Sequence, residues 1–552
     1  MISRRWEPIG VAVIGTTILL SLIVWLDNVH IATLNGMYKS IQLEAWIHTP
    51  ATARLDPSNY IYFPVYGVLC RFLDWIGVFR GLASKQIAVL NAGAAGLALG
   101  AVYVLVRNLT GRRDAALLAS LLHLGSGFFL LLAVINEDIM PGYALVLWAM
   151  VLAAMRFDRP APAAVIAVGI LFTLGWLFEW RLMFPTLPAL LAALALADIA
   201  LKQRLMMAAL LLVTMLAVAG LIALCWDGHT GAMGLSEIIW TGKGVASAWA
   251  GFSSEKLELL ALGVGQYLIG ARNVPVPTDD LATRLETWIA IGIQASAMLY
   301  ALVTLWRRWG DRRIRATLVV FLGTFFAGEF MNAYSQPQDP QMQINIMGWL
   351  PIVWGLALAN SLLPDPRNLG RLLALLVLSA LPLAYNTRQL SKERGGDTAT
   401  RTNVAGIDGR IDLSRTIFLY WGFEPITGWQ YFYDGRRWDG VAGLGTAPDP
   451  RRQVKWITVM RNLLAHPGQS GAENAAALKR DIDWALDNGY HVVAGQFWEW
   501  SAEQLGRSLI SVSGQASGPA IHAMLHDDFT AKQLFDQPGV GSYYLLSRAA
   551  PR

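Results

Sequence analysis

Long runs of apolar residues recur along the chain, separated by short polar segments that hold most of its charges. The first run, residues 9–26, contains 18 residues without a charge, close to the about 20 that an α-helix needs to cross a bilayer. The pattern predicts a polytopic α-helical membrane protein of about eleven transmembrane helices. They are expected near residues 9–26, 86–106, 115–135, 140–156, 162–178, 184–201, 205–225, 286–305, 315–331, 347–363 and 369–386.

A further apolar stretch, residues 60–79, differs because it contains Arg71 and Asp74. Each charge costs about 2.5 to 3.5 kcal/mol at the centre of a membrane helix, so we expect an amphipathic helix in the membrane interface. The arginine-rich turns, such as residues 306–315, then share one side, which the positive-inside rule makes cytoplasmic together with the N-terminus. The external segments are residues 27–85, 136–142, 179–185, 226–286 and 331–345.

The C-terminal part of the chain has a different pattern. Short β-rich runs alternate there with one helical stretch, residues 471–489, which predicts a small extracytoplasmic α/β domain. Residues 388–412 are polar and rich in Gly, Thr and Arg, as a linker would be. We therefore divide the chain into a transmembrane unit, 1–387, and an α/β domain, 388–552. The candidate strands are residues 416–423, 454–460, 490–498 and 542–548.

Composition supports a membrane protein and argues against two other classes. The 552 residues are 55% hydrophobic and only 15% charged, as expected when lipid surrounds much of the surface. The net charge of +5 comes mostly from basic turns between apolar runs, where membrane orientation explains it, so it does not indicate nucleic-acid binding. Two cysteines, Cys70 and Cys225, are too few for a disulfide scaffold or a thiolate metal site.

Acidic side chains collect in the segments that we place outside. Asp27 follows the first apolar run, with His30 close behind it, and Glu137 and Asp138 occupy a tight turn between two spans. An anion at the C-terminal end of a helix is mildly unfavourable, and ionisable residues at a membrane are functional candidates by default. These residues are therefore our first candidates for a catalytic site.

Groups suited to binding a sugar or a phosphate also lie outside. The segment 331–345 is rich in amides, which hydrogen-bond sugar hydroxyl groups well. An arginine in the turn 179–185 offers phosphate a bidentate fork, and a lysine lies between two glycines in the segment 226–286. The candidate substrate-binding residues from these segments are Asp339, Gln341, Gln343, Arg181 and Lys243.

Several motifs in this order resemble the GT-C glycosyltransferases. Asp27 opens a long external loop, the aromatic-proline segment YIYFPVYGVL follows at residues 60–69, and then VRNLTGRRDAALLASLL (106–122) and FFLLLAVINEDIMPGYALVLWAMVLA (128–153). Within that superfamily the chain is most similar to the branch of protein O-mannosyltransferases and lipid A aminoarabinose transferases, which use polyprenyl-phosphate sugars. The motifs cover roughly residues 9–160, and the rest resembles the family in topology alone.

The resemblance implies an inverting transfer of a hexose or pentose from a polyprenyl-phosphate donor, at the outer face of the bacterial inner membrane. The acceptor is then a hydroxyl group on a glycan, lipid or protein. Asp27 matches the general base of the family, and Glu137 or Asp138 matches the acid of the second external loop, Asp138 better. His30 and Tyr66 complete the candidate substrate-binding set, although FPVY stands where the family has His-Pro-Pro-Leu.

Other interpretations stay open from the sequence alone. Asp27, Asp138 and Asp339 offer oxygen ligands to Mg²⁺ or Mn²⁺ if they converge. A polysaccharide polymerase or ligase would depend on Arg181 and His30 and not on Asp27. A lipid-linked saccharide carrier or flippase would place ionisable residues at mid-membrane and show repeats. The apolar runs are nearly free of mid-membrane charge and show no repeat, which counts against transport. A membrane-anchored protein could instead bind glycans through its C-terminal domain.

Overall fold

The chain is largely helical, as the apolar pattern predicts. The structure is a computed structural model that describes residues 2–29, 34–48, 60–230, 252–270, 281–334, 337–344, 346, 348–362, 369–398, 412, 415–421, 455–459, 463, 468–509, 516–537 and 541–550. Up to residue 391 the α-helices are α1 (Ile2–Leu26), α2 (Leu34–His48), α3 (Tyr62–Trp75), α4 (Ala83–Thr110), α5 (Arg113–Gly125), α6 (Gly127–Val134), α7 (Ile139–Arg156), α8 (Pro162–Phe178), α9 (Met183–Ala195), α10 (Leu201–Thr230), α11 (Ser254–Ile269), α12 (Leu281–Arg307), α13 (Arg312–Asn332), α14 (Pro340–Ile344), α15 (Trp349–Ala357) and α16 (Leu369–Ser391).

Among the described residues, seven helices are long and apolar enough to cross a membrane. The bent pair of α5 and α6 is an eighth if it forms one span, and three shorter apolar helices lie at 162–178, 180–195 and 349–360. Every predicted apolar run thus contains a helix, but helix length does not confirm the predicted count of eleven spans. The shortfall arises because α8, α9 and α15 have 17, 13 and 9 residues, fewer than the about 20 that cross the hydrocarbon core.

The first helix packs closely against α4 because small residues face each other at the crossing. A Cβ atom added to Gly96 would lie 2.1 Å from Thr16 Oγ1 and 2.6 Å from the backbone oxygen of Ala12. Small residues at such crossings let two membrane helices approach until their backbones touch. This contact holds the C-terminal end of α1 beside the N-terminal end of α4.

Replacing Gly96 with alanine is expected to lower the melting temperature of the purified protein. Overpacking of this kind costs about 1–3 kcal/mol, because the Ala12 backbone cannot move away as a side chain would. Gly93, on the same helix, has no neighbour within 4 Å of an added Cβ, so Gly93→Ala is the matched control and is expected to be neutral or slightly stabilising. Equal melting temperatures for the two variants would contradict the close crossing.

The segment predicted to lie in the interface forms α3, a helix of 14 residues. At about 1.5 Å per residue it is about 21 Å long, too short to cross a bilayer. Its exposed face carries Phe72 and Trp75, while Arg71 donates a hydrogen bond to a backbone oxygen of α2 at 3.1 Å and Asp74 accepts one from the Gly81 amide at 2.8 Å. Arg71 and Asp74, whose charges disfavour a membrane span, therefore both have hydrogen-bond partners. The helix has one buried face and one exposed apolar face.

The predicted span 115–135 is a bent pair and not one straight helix. The axes of α5 and α6 differ by 67°, and a Cβ atom on Gly125 at the bend would lie 2.5 Å from the backbone nitrogen of Leu383. Asn386 satisfies the broken helix end by donating hydrogen bonds to the backbone oxygens of Gly125 at 2.7 Å and Leu268 at 2.9 Å. All eight residues of α6 are buried, and this helix leads directly into the turn with Glu137 and Asp138.

The described residues of the C-terminal part form a five-stranded sheet of order β2-β1-β3-β5-β4. Strands β1 to β3 are parallel, while β5 pairs antiparallel with both β3 and β4. A hydrophobic core of its own lies between the sheet and its helices, which confirms the predicted α/β architecture. The elements are β1 (Thr416–Tyr420), β2 (Lys455–Thr458), α17 (Gly471–Asp487), β3 (His491–Ala494), α18 (Ala502–Ser508), α19 (Ser517–Asp528), β4 (Phe529–Gln537) and β5 (Gly541–Arg548).

Candidate functional site

Asp27 lies at the end of α1 in an ion pair that bridges two helices. Its Oδ1 atom is 2.5 Å from Lys85 Nζ, at the start of α4. The Asp27 side chain is 34% exposed and that of Lys85 15% exposed, so the pair lies at the surface of an otherwise buried region. Asp27 is also one of two described non-glycine residues with positive φ, at 44°, a conformation that L-residues adopt only when neighbouring contacts hold them.

Each member of this pair opposes the dipole of its own helix. Asp27 follows the negative C-terminal end of α1, and Lys85 is the third residue of α4, near its positive N-terminal end. Either charge alone would be unfavourable where it stands, by about 0.3–1 kcal/mol. The Asp27–Lys85 contact offsets both penalties. The first backbone N–H group of α4, that of Ala83, already donates to the Glu44 carboxylate at 3.0 Å, so Lys85 is the cation that this helix start offers to a further anion.

A short segment after α16 holds the end of α1 in place. We call residues 393–398 the strap. The Gly395 amide donates to the backbone oxygen of the last α1 residue at 2.7 Å, and the Asp397 amide donates to that of Asp27 at 3.0 Å. The Asp397 carboxylate accepts a hydrogen bond from the Val29 amide at 3.2 Å and lies 3.6 Å from Lys85 Nζ. The Thr398 hydroxyl donates to the second carboxylate oxygen of Asp27.

Glu137, the first acid of the second external loop, is fully buried and joins three separated segments. Its Oε1 atom accepts a hydrogen bond from the Gly36 amide at 2.9 Å, and its Oε2 atom accepts one from Gln341 Nε2 at 2.5 Å. Its backbone oxygen accepts a hydrogen bond from Asn91 Nδ2 at 2.5 Å. The predicted residues Glu137 and Gln341 therefore do meet, and they tie α2, α4 and α14 to one turn. Tyr66 donates to Asn91 Oδ1 at 2.9 Å and so belongs to the same network.

Asp138 lies next to Glu137 in the chain but faces a different partner. Its Oδ2 atom is 3.6 Å from Lys39 Nζ, and the two side chains are 1% and 2% exposed. The Lys39 ammonium also lies 5.6 Å from the centre of the Phe63 ring, within the range of a cation–π interaction. This buried ion pair connects α2 to the turn before α7 and adds a second cation that the sequence does not single out.

Arg181 is held by its neighbour Glu179 in a two-pronged ion pair. The Nε and Nη2 atoms donate to the two carboxylate oxygens of Glu179 at 2.6 and 3.0 Å. Asp339 lies within electrostatic range, and burial raises the pKa of its carboxyl group while the Arg181 charge and the Gln341 amide lower it. Asp339 Oδ1 accepts that amide hydrogen at 2.8 Å, so it caps α14.

Of the remaining predicted substrate-binding residues, Gln343 is described, and it has partners of its own. Gln343 donates hydrogen bonds to the backbone oxygen of Pro337 at 2.7 Å and to Glu329 at 3.3 Å, and it thereby closes the turn before α14. His30 and Lys243 lie outside the described residues. The structure therefore unites Asp27 with Lys85, and Glu137 with Gln341 and Tyr66.

Sequence reasoning missed Lys85, Lys39, Asp397 and Thr398. For Lys85 a signal exists, because a lysine at the start of an apolar helix opposes the helix dipole and calls for an anionic partner. Asp397 and Thr398 gave no such signal, since they fall in a polar stretch that reads as a linker and meet Asp27 only through the fold.

The described side chains include no group of three or more His, Cys, Asp or Glu residues that could hold a metal ion. Asp27, Asp138 and Asp339 are accordingly not gathered around one point. The expectation from sequence that no two histidines stand in HxxxH spacing is wrong, because His522 and His526 have that spacing on α19 and their ring centres are 4.4 Å apart.

Solved structures resemble this chain over almost its whole length. Its sequence matches no protein-family model and no curated protein. The crystal structure of ArnT from Cupriavidus metallidurans bound to undecaprenyl phosphate aligns with a TM-score of 0.55 at 13% identity, covering 97% of this chain and 98% of ArnT. The apo structure of the same enzyme gives the same score and identity, covering 99% and 98%. From its first membrane helix to its C-terminal sheet, the chain therefore has the fold of ArnT, a GT-C glycosyltransferase.

Proposed function

We propose that this protein transfers a sugar from a polyprenyl-phosphate donor to an acceptor hydroxyl group at the Asp27 end of the helical bundle. The observation that carries the proposal is the partly exposed Asp27–Lys85 pair in a chain with the fold of an enzyme that binds undecaprenyl phosphate. The pair supplies the two groups that such a transfer requires, a base for the acceptor and a cation for the phosphate.

Exposure favours Asp27 as the base over the two acids of the second external loop. Glu137 and Asp138 are 0% and 1% exposed, and each already engages a buried partner. An acceptor hydroxyl group must come within about 3 Å of the base, which Asp27 permits because a third of its side chain faces solvent. We therefore assign Glu137 and Asp138 the role of holding the loops around the site.

Lys85 is the proposed phosphate ligand. In the free protein its charge is shared by Asp27 at 2.5 Å and Asp397 at 3.6 Å. A lipid phosphate near the N-terminal end of α4 would draw the Lys85 ammonium towards itself by charge. The move releases Asp27 from its ion pair, so donor binding would itself prepare the base. Arg181, bound to Glu179, remains a candidate second cation for the same phosphate.

The transfer then proceeds in one displacement. Asp27 takes the proton of the acceptor hydroxyl group while that oxygen forms a bond to the anomeric carbon of the sugar. The bond from this carbon to the phosphate oxygen breaks, and its electron pair stays on the lipid phosphate, which Lys85 neutralises. A single displacement inverts the anomeric centre. Polyprenyl phosphate is a fair leaving group, so a second carboxylic acid is not required.

Charge distribution supports an extracytoplasmic site. At the other end of the bundle, Glu7 lies 3.9 Å from Arg107 and 3.7 Å from Arg113, and Asp198 lies 2.5 Å from Arg312. Basic residues outnumber acidic ones in these turns, which the positive-inside rule assigns to the cytoplasm. We propose that the Asp27 end and the C-terminal domain face the periplasm, where that domain would recruit or cover the acceptor.

Replacing Lys85 with glutamine is expected to weaken binding of undecaprenyl phosphate roughly 10- to 100-fold, as expected for a charged hydrogen bond worth about 1.5–3 kcal/mol. The affinity is read from the lipid-dependent rise in melting temperature. Lys85→Arg keeps the charge and serves as the matched control, with a smaller loss expected. Equal affinities for the glutamine variant and the wild type would remove Lys85 from the phosphate site.

The proposed function is tested with purified protein and a panel of undecaprenyl-phosphate hexoses and pentoses. A matching donor at 100 times its Kd should stabilise the protein by about 2.7 kcal/mol and should yield undecaprenyl phosphate once an acceptor extract is added. If no donor stabilises the protein, the proposal fails. If a donor crosses the bilayer of a liposome intact and no sugar is transferred, the protein is a carrier.

A further inference from the structure

The strap, residues 393–398, connects the last membrane helix to the chain that leads into the C-terminal sheet. It follows α16 directly and turns at Gly395, whose φ of 81° lies in the left-handed region that favours glycine. The turn brings the strap back onto the end of α1, where its backbone and side chains meet the proposed base. A segment read from sequence as linker therefore forms part of the site's wall.

Backbone contacts from the strap fix the conformation of Asp27. The Gly395 and Asp397 amides donate to the last backbone oxygens of α1 and to that of Asp27, at 2.7 and 3.0 Å. In return Asn28 Nδ2 donates to the backbone oxygen of Glu393 at 2.6 Å. A non-glycine residue at positive φ is uncommon and is held there by the contacts around it. These hydrogen bonds are the surroundings that hold Asp27 in its unusual conformation.

Two strap side chains also act on the charges of the site. Asp397 is 2% exposed, accepts a hydrogen bond from the Val29 amide at 3.2 Å, and lies 3.6 Å from Lys85 Nζ. Thr398 donates its hydroxyl hydrogen to Asp27. Asp397 thus competes with Asp27 for one lysine, and Thr398 stabilises the charged form of Asp27. Arg394, also on the strap, donates to the backbone oxygen of Trp25 at 3.0 Å.

We propose that Asp397 and Thr398 are positioning residues of the transfer site, Asp397 acting on the base through Lys85 and Thr398 through a direct hydrogen bond. When phosphate draws Lys85 away from Asp27, Asp397 would attract the lysine. Thr398 would then orient the Asp27 carboxylate towards the acceptor. This inference rests on the proposed function.

Asp397→Asn and Asp397→Ala separate the charge of Asp397 from its hydrogen bond. Asparagine still accepts from the Val29 amide but no longer attracts Lys85, so the melting temperature should be kept. Undecaprenyl phosphate should then bind about two- to fivefold more tightly, the worth of a loose ion pair, 3.6 Å long, whose lysine is 15% exposed. Lys85 then pairs only with Asp27 in the free enzyme, so the acid limb of the pH profile of kcat/KM should move to lower pH by roughly half a unit. Alanine should lower both the melting temperature and transfer.

Thr398→Val should move the same acid limb in the opposite direction, to higher pH, because the charged form of Asp27 loses a hydrogen-bond donor. Thr398→Ser keeps the hydroxyl group and is the matched control, with an unchanged profile expected. Opposite shifts for the Asp397→Asn and Thr398→Val variants are a signature that a merely structural strap would not produce.

The outcomes distinguish the inference from the function on which it rests. Wild-type protein that binds undecaprenyl phosphate and transfers sugar in an Asp27-dependent manner upholds the proposed function. If Asp397→Asn and Thr398→Val then leave both the lipid affinity and the acid limb unchanged, the positioning roles are wrong. If the wild type neither binds this lipid nor transfers sugar, the proposed function fails and the inference fails with it.

Discussion

Asp27→Asn is expected to lower sugar transfer by a factor of about 10² to 10⁴, the usual contribution of a general base. Asparagine cannot take the proton of the acceptor hydroxyl group, but it is well suited to the position. It is one of the few non-glycine residues that tolerate positive φ, and its side-chain oxygen still accepts the hydrogen bond from Thr398. The fold should therefore survive, since a part-exposed ion pair contributes only about 0–1 kcal/mol to stability.

Two comparisons make the loss interpretable. Undecaprenyl phosphate should bind the Asp27→Asn variant at least as tightly as the wild type, because Lys85 no longer has to leave a carboxylate. Glu7→Gln is the matched control. Glu7 lies near the opposite end of the same helix and, like Asp27, pairs with a basic residue, at 3.9 Å from Arg107. That control should retain full transfer. Retained transfer in the asparagine variant would exclude Asp27 as the base.

Glu137→Ala is expected to have the largest effect on stability, about 2–4 kcal/mol, read as a fall in melting temperature. The substitution removes the acceptor for the Gly36 amide and for Gln341 Nε2 in a site that is 0% exposed. Buried donors left without acceptors are costly. The fall should appear with and without donor, and the fraction that stays folded should keep much of its transfer rate, because Glu137 does not face the acceptor.

A double substitution tests this interpretation of Glu137. In Glu137→Gln with Gln341→Glu the charge moves to the other partner, yet the pair can still form a hydrogen bond and the Gly36 amide keeps an oxygen acceptor. The double variant should regain much of the stability lost in Glu137→Ala. A folded Glu137→Ala variant that binds donor normally but transfers no sugar would contradict the structural role and would return Glu137 to the catalytic residues.

The sequence predicts the helices well because apolar runs and their ends are local features. It also predicts the exposed carboxylate at Asp27, since an anion that opposes the helix dipole stands out in its own segment. The bend between α5 and α6 is only partly readable in the same way. Gly125, Ser126 and Gly127 interrupt the apolar run, but the broken helix end is satisfied by Asn386, which reaches Gly125 from more than 200 residues away.

Distance along the chain also explains why the sequence does not predict Lys85 and Thr398 as partners of Asp27. Asp27 and Lys85 are 58 positions apart, and Asp27 and Thr398 are 371 apart, so their contacts arise only when α1, α4 and the strap pack together. Strand β4 was missed for a local reason. A register shift between Gln533 and Phe535 breaks the alternation of apolar and polar residues that marks a strand.

The most direct measurement is an experimental structure of the protein with undecaprenyl phosphate bound. We expect the lipid phosphate within about 3 Å of Lys85 Nζ, at the N-terminal end of α4, with Asp27 released from its ion pair and facing solvent. A phosphate bound instead near Arg107 and Arg113 at the opposite end of the bundle, or a lysine still paired with Asp27 in the complex, would contradict the assignment of this site.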